Sequence, residues 1–281
     1  MGAASSIVSN CRPGWRGRAA LAATCVLGGT VGLVGPASAV EQSSQRVPTI
    51  VALGDSFSAG VGTRSYYGDS GSCQRSPYAY PVIDAGRVGA SLSFRACSGA
   101  TTTSVLNTQL DTLTPRTTYV TITVGGNDAG FSRVITECAQ PWWAADCHGA
   151  IDDSRAYISE TLPSRLDAVY RAIESRAPDA TVVVVGYPRI FMGEDCNAGT
   201  WFSPSEQTRL NSTADLLDTT TAGRASAYGF EFADPRATFT GHAVCDELEW
   251  VNGLSDPVSE SYHPNRKGQT GYANLVDDYL T

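Results

Sequence analysis

The chain has 281 residues, 28 acidic against 20 basic, and a formal net charge of −8. With one lysine, Lys267, it lacks the clustered cations that a phosphate backbone demands, which excludes nucleic acid as a partner. Its 42% of hydrophobic residues suffice for one sizeable core, and the acidity reads as solubility outside the cell.

Residues 1–39 read as an export signal. Arg12, Arg16 and Arg18 form a basic start, Ala19 to Val34 an apolar core, and Ala37-Ser38-Ala39 a small-residue cleavage pattern. Gly28, Gly29 and Gly32 interrupt the core, which is shorter than the roughly 20 residues a spanning helix needs. Cleavage after Ala39 predicts a secreted, extracellular protein with residues 40–281 as a single domain. No later segment is long and apolar enough to cross a membrane. Cys11 and Cys25 leave with the signal. Cys73, Cys97, Cys138, Cys147, Cys196 and Cys245 remain, an even count that predicts three disulfides in an exported chain. Six cysteines allow 15 pairings. Without Cys-x-x-Cys or cysteine–histidine spacing, no metal is expected.

Further along, short β-branched runs alternate with helical patterns. Strands are predicted at Thr49–Leu53, Ser91–Cys97, Tyr119–Val124, Thr181–Val185 and Phe230–Ala233. Ile158, Leu162, Leu166, Val169, Tyr170 and Ile173 recur at helical spacing within a helix over 152–176, which Pro163 bends or divides. A second helix is predicted over 204–228. Alternating strands and helices imply a doubly wound parallel sheet, covered on both faces, with ligands at the carboxyl ends of the strands.

Three strand ends carry residues suited to one reaction. After the first comes Gly54-Asp55-Ser56-Phe57-Ser58, a serine where a strand gives way to a helix, whose N-terminal N–H groups favour negative charge. After the second, Cys97-Ser98-Gly99 offers a glycine N–H. After the third, Gly125-Gly126-Asn127-Asp128 offers close backbone approach and an amide donor for an oxyanion. A serine hydroxyl needs a base within hydrogen-bond reach. Only His148, His242 and His263 are available. His263, in Ser261-Tyr262-His263-Pro264-Asn265 before a last helix, is the candidate that a returning loop brings to the strand edge.

Gly54-Asp55-Ser56, Gly99, Gly126-Asn127-Asp128 and His263 resemble, in order, the four blocks of the SGNH (GDSL) hydrolases. The chain looks most like the secreted actinobacterial lipases, esterases and phospholipases A1. The resemblance implies a three-layer α/β/α, flavodoxin-like fold and a serine carboxylic-ester hydrolase without a cofactor. Ser56 becomes the nucleophile and His263 the general base. The N–H groups of Ser56 and Gly99 and the Asn127 amide become the oxyanion donors. In that subgroup neighbouring cysteines pair, which favours Cys73–Cys97, Cys138–Cys147 and Cys196–Cys245. Many members place an aspartate three residues before the histidine; here that position is Glu260. The Ser261 carbonyl is the preferred orienting group for His263, with Glu260 in reserve.

Competing readings are weaker. No Gly-x-Ser-x-Gly elbow, His-Glu-x-x-His pair or Gly-x-Gly-x-x-Gly turn occurs. A carbohydrate or small-ester deacetylase of the same fold, or an inactive exported binding protein, are the alternatives. The ester substrate is expected to be lipid, reached through transient contact with a lipid surface by a monomer. Some of Phe131, Trp142, Trp143, Phe191, Met192, Trp201 and Phe202, in loops after the third and fourth strands, are expected to line an acyl groove.

Overall fold

The structure, a computed structural model, describes residues 46–280. The export-signal reading of residues 1–39 lies outside them. In chain order the elements are β1 (Thr49–Gly54), α1 (Ser56–Ala59), α2 (Tyr80–Val88), β2 (Ser91–Phe94), α3 (Thr102–Thr108), β3 (Tyr119–Thr123), α4 (Phe131–Ala139), α5 (Cys147–Glu160), α6 (Leu162–Arg176), β4 (Thr181–Val185), α7 (Pro204–Ala227), β5 (Glu231–Ala233), α8 (Pro235–Thr238) and α9 (Arg266–Val276). Every strand pairing is parallel, in the order β2-β1-β3-β4-β5. Two groups of helices cover the sheet: α9 packs with α2 and α8, while α3, α4, α5, α6 and α7 form a connected set of packed helices.

The central strands are buried because Val and Ile occupy both faces. Val120, Ile122, Val183, Val184 and Val185 are all at most 1% exposed. Ile151, Ile158, Leu162, Leu166 and Ile173 meet them from the helices. The strand at 91–97 is shorter than predicted: after Phe94 the chain leaves the ladder, and Arg95 and Ala96 both donate to the Ala52 carbonyl.

The helix predicted over 152–176 is divided next to Pro163. α5 starts earlier, where the Asp146 side chain caps the Gly149 N–H, and it ends at Glu160. Pro163, with no N–H for the carbonyl four residues back, sits in the first turn of α6 instead. α7 matches its predicted span closely and opens with a capping box between Ser203 and Glu206. Disulfides join Cys73 to Cys97, Cys138 to Cys147 and Cys196 to Cys245.

Candidate active site

β1 ends in a turn that only glycine permits. Gly54 has φ of +113°, and a Cβ there would lie 2.3 Å from the Thr123 carbonyl oxygen of β3. The Gln109 side chain clamps it from the other side, accepting from the Gly54 N–H (2.7 Å) and donating to the Gly54 carbonyl (2.9 Å). Asp55 then caps α1 by accepting from the Phe57 N–H at 3.0 Å, and Ser56 is the first residue of that helix. α1 has four residues, so the helix dipole invoked from the sequence is small. What the turn supplies is the individual N–H of Ser56, which has no intrahelical acceptor at this position.

His263 reaches Ser56 from a loop ahead of α9. Its Nε2 lies 2.8 Å from Ser56 Oγ and its Nδ1 2.8 Å from the Ser261 carbonyl oxygen. A carbonyl only accepts, so Nδ1 carries the proton and Nε2 is left to accept from the serine hydroxyl. The loop doubles back because Tyr262 takes a left-handed φ of 59°, held there by a ring buried against Phe191 and Phe202. Loss of hydration on burial pulls the His263 pKa down to about 4, against the raising effect of the Ser261 carbonyl.

Glu260 is turned away from the imidazole. Its buried carboxylate accepts from the Tyr66 hydroxyl (2.5 Å) and the Arg64 N–H (3.3 Å). The other histidines sit elsewhere: His148 against Arg209, and His242 stacked on Trp250 at 3.9 Å.

The Gly99 turn is tied to the same edge. Cys97 N–H donates to the Gly54 carbonyl and Ser98 N–H to the Cys73 carbonyl, each at 3.0 Å, beside the Cys73–Cys97 disulfide. Gly99 has φ of +76°, and among the described residues its N–H meets no acceptor. Asn127 donates one amide hydrogen to the Ala100 carbonyl at 3.0 Å, leaving the other free. Asp128 accepts from the Thr102 N–H (2.9 Å) and hydroxyl (2.6 Å), lacing the Asn127 turn to the start of α3. One edge therefore holds a hydroxyl beside an imidazole, with three N–H donors available to an oxyanion.

Two participants were missed from sequence, Gln109 and Tyr187. Tyr187 follows β4 at the same carboxyl edge, and that position was the available signal. Its hydroxyl donates to Asp55 Oδ2 at 2.5 Å and accepts from the Gly126 N–H at 3.1 Å. Burial raises the Asp55 pKa to about 7, opposed by its bonds to Tyr187 and Phe57.

Beside these turns opens an apolar pocket walled by Phe57, Gly126, Phe131, Ile158, Tyr187 and Leu217. Phe131 also borders a more open groove that runs past His263 to Trp201, Leu254 and Val258. Of the seven loop residues some of which were expected to line a groove, two do so. Phe131 and Trp201 border these hollows, while Phe191 and Phe202 are packing beneath Tyr262. Trp142, Trp143 and Met192 are exposed. Pocket walls come instead from α5 and α7, whose apolar residues face inward.

Residues 52–270 match the family described as GDSL-like Lipase/Acylhydrolase. A lipase of Streptomyces rimosus is 44% identical over 263 residues, covering 92% of this chain and 97% of the relative. The crystal structure of the extracellular lipase from Streptomyces rimosus superposes with a TM-score of 0.78 at 44% identity, over 83% of this chain and all of that one. Phospholipase A1 from Streptomyces albidoflavus NA297 superposes equally well at 40% identity, with the same coverage. The chain belongs to the GDSL-like lipase/acylhydrolase family, shares the SGNH hydrolase fold and is a carboxylic-ester hydrolase.

Proposed function

We propose that the chain is a secreted serine lipase or esterase that cleaves acyl esters of lipids by two-step acyl transfer to water. The observation that carries this reading is the 2.8 Å approach of His263 Nε2 to Ser56 Oγ, with Nδ1 held by the Ser261 carbonyl. Ser56 Oγ attacks the ester carbonyl as His263 Nε2 takes its proton. The tetrahedral oxyanion is held by the Ser56 and Gly99 N–H groups and the free Asn127 amide hydrogen. Collapse breaks the ester bond, and His263 returns the proton to the leaving alkoxide. Water then attacks the acyl-enzyme, deprotonated by His263, and the acid leaves as Ser56 regains its proton.

The apolar pocket beside Ser56 and the groove past His263 support an acyl chain on the substrate. Likeness to a phospholipase A1 extends the reading to phospholipid esters. Residues 1–39 act as a cleaved export signal, and residues 40–281 form the catalytic domain of a monomer. Three disulfides and the extracellular S. rimosus relative support an oxidising destination.

A chain-length series of p-nitrophenyl esters, run on wild type and Ser56→Ala, tests the reading. Activity that rises from acetate to medium chains and disappears in Ser56→Ala is expected. Activity confined to acetate would replace the lipid reading with a deacetylase. Activity surviving in Ser56→Ala would defeat the serine mechanism.

A further inference from the structure

We propose that Tyr187 is a positioning residue that holds the Ser56 turn and the Asn127 turn in register, so that the oxyanion donors converge on one point. The inference rests on the proposed role of Ser56 and concerns a residue outside the four motif blocks.

A continuous chain of hydrogen bonds carries it. The Gly126 N–H donates to the Tyr187 hydroxyl (3.1 Å), which donates to Asp55 Oδ2 (2.5 Å), while Asp55 Oδ1 accepts from the Phe57 N–H (3.0 Å). Its two ends are the immediate neighbours of the proposed donors: Gly126 precedes Asn127, and Asp55 and Phe57 flank Ser56. A phenol is the side chain that accepts from one turn and donates to the other through one oxygen. The linkage spans 132 residues between Asp55 and Tyr187 and 61 between Tyr187 and Gly126.

The ring is fixed on every side. A Cβ on Gly126 would lie 3.2 Å from the Tyr187 ring and hydroxyl, so glycine there makes room for the phenol. Phe57 packs edge-on against it at 5.0 Å between centroids, and Phe57 in turn lies 5.3 Å from the His263 ring. The backbone that carries the phenol is anchored to helices of both groups. Asp218 of α7 accepts the Tyr187 N–H at 2.8 Å, and Tyr272 of α9 donates to the Gly186 carbonyl at 3.0 Å. Both Asp218 and Tyr272 are fully buried. A residue used only for packing has no need of an aligned hydroxyl between two buried polar partners. Buried polar groups that satisfy one another rigidify the segments they join, and here those segments are two edges of the oxyanion site.

Tyr187→Phe removes the link and keeps the ring. Expected is a fall in kcat of about 10–100-fold with KM within about twofold, equivalent to about 1.4–2.7 kcal/mol of transition-state stabilisation. Affinity for butaneboronic acid, which forms a tetrahedral adduct with an active serine, should fall by a similar factor. Asp55→Ser, which retains a capping acceptor for the Phe57 N–H but is too short to reach the Tyr187 hydroxyl, should give a comparable loss. Because both act through one link, the double variant should lose no more than the weaker single variant. A folded Tyr187→Phe with kcat and boronate affinity within threefold of wild type would overturn the proposal, as would multiplicative losses in the double variant. Should Tyr187→Phe not fold, Asp55→Ser decides alone, and wild-type kcat there overturns it. If boronate fails to inhibit the wild-type enzyme, the Ser56 reading itself is what has failed.

Discussion

Replacing Glu260 by glutamine separates two ways of orienting His263. The carboxylate lies three residues before the imidazole but is held by the Tyr66 hydroxyl at 2.5 Å and the Arg64 N–H at 3.3 Å, while His263 Nδ1 donates to Ser261. Hydrogen bonds to a charged group contribute about 1.5–3 kcal/mol each, and neutral ones about 0.5–1.5 kcal/mol. Glutamine keeps the shape and one acceptor, so the two bonds together should weaken by about 1–3 kcal/mol. At roughly 2–4 °C per kcal/mol for a domain of this size, Tm should fall by about 2–12 °C. Catalysis should barely respond, with kcat on a soluble p-nitrophenyl ester within about threefold of wild type at 25 °C. A histidine dependent on the carboxylate would lose on the order of 10⁴ in kcat. Thermal melting by circular dichroism and steady-state kinetics read the two effects separately. A thousandfold loss of kcat with Tm unchanged would refute orientation by the Ser261 carbonyl.

Asn127→Ala should lower kcat by two to three orders of magnitude, the loss of about 2.7–4 kcal/mol of oxyanion stabilisation. Its bond to the Ala100 carbonyl is worth about 1 kcal/mol, so Tm should fall by only a few degrees; an unaltered rate removes Asn127 from the site. Gly99→Ala has open space for the methyl group, but φ of +76° strains a non-glycine backbone by about 1–2 kcal/mol. Relief of that strain turns the N–H aside, so kcat should drop at least tenfold while KM holds. Unchanged kcat with lower Tm would make Gly99 merely conformational. Because burial lowers the His263 pKa to about 4, the base stays neutral as pH falls through 6.5, and the acid limb of kcat/KM should lie near pH 4–5. A limb at 6.5 that shifts in no His263-loop variant would contradict this. Between pH 6.5 and 4 the unfolded chain binds a proton at His263 that the folded chain does not, so stability from this residue falls as pH falls.

The sheet was legible because β-branched runs such as Thr181–Val185 are buried on both faces and have no polar alternation to blur them. Strand ends were less so. The departure after Phe94 depends on the Ala52 carbonyl accepting two N–H groups from another segment, which no local pattern encodes. Pro163 signalled a break, but not that the preceding helix starts at Cys147, because that start depends on one Asp146 cap. At the site, the four motif blocks lie in turns with distinctive composition, so they stood out. Tyr187 and Gln109 did not, since their partners lie 132 and 55 residues away and neither residue type is unusual where it stands. The six loop aromatics and Met192 could not be sorted either, because loops carry no periodicity to tell pocket wall from packing.

In the proposed mechanism Ser56 is a nucleophile activated by His263. Incubating the folded enzyme with a fluorophosphonate and mapping the adduct by peptide mass spectrometry tests it most directly. One adduct per chain on the peptide containing Ser56, forming far more slowly in His263→Ala, is the predicted result. An adduct on another residue, or none on folded wild-type protein, would rule out Ser56 as the nucleophile.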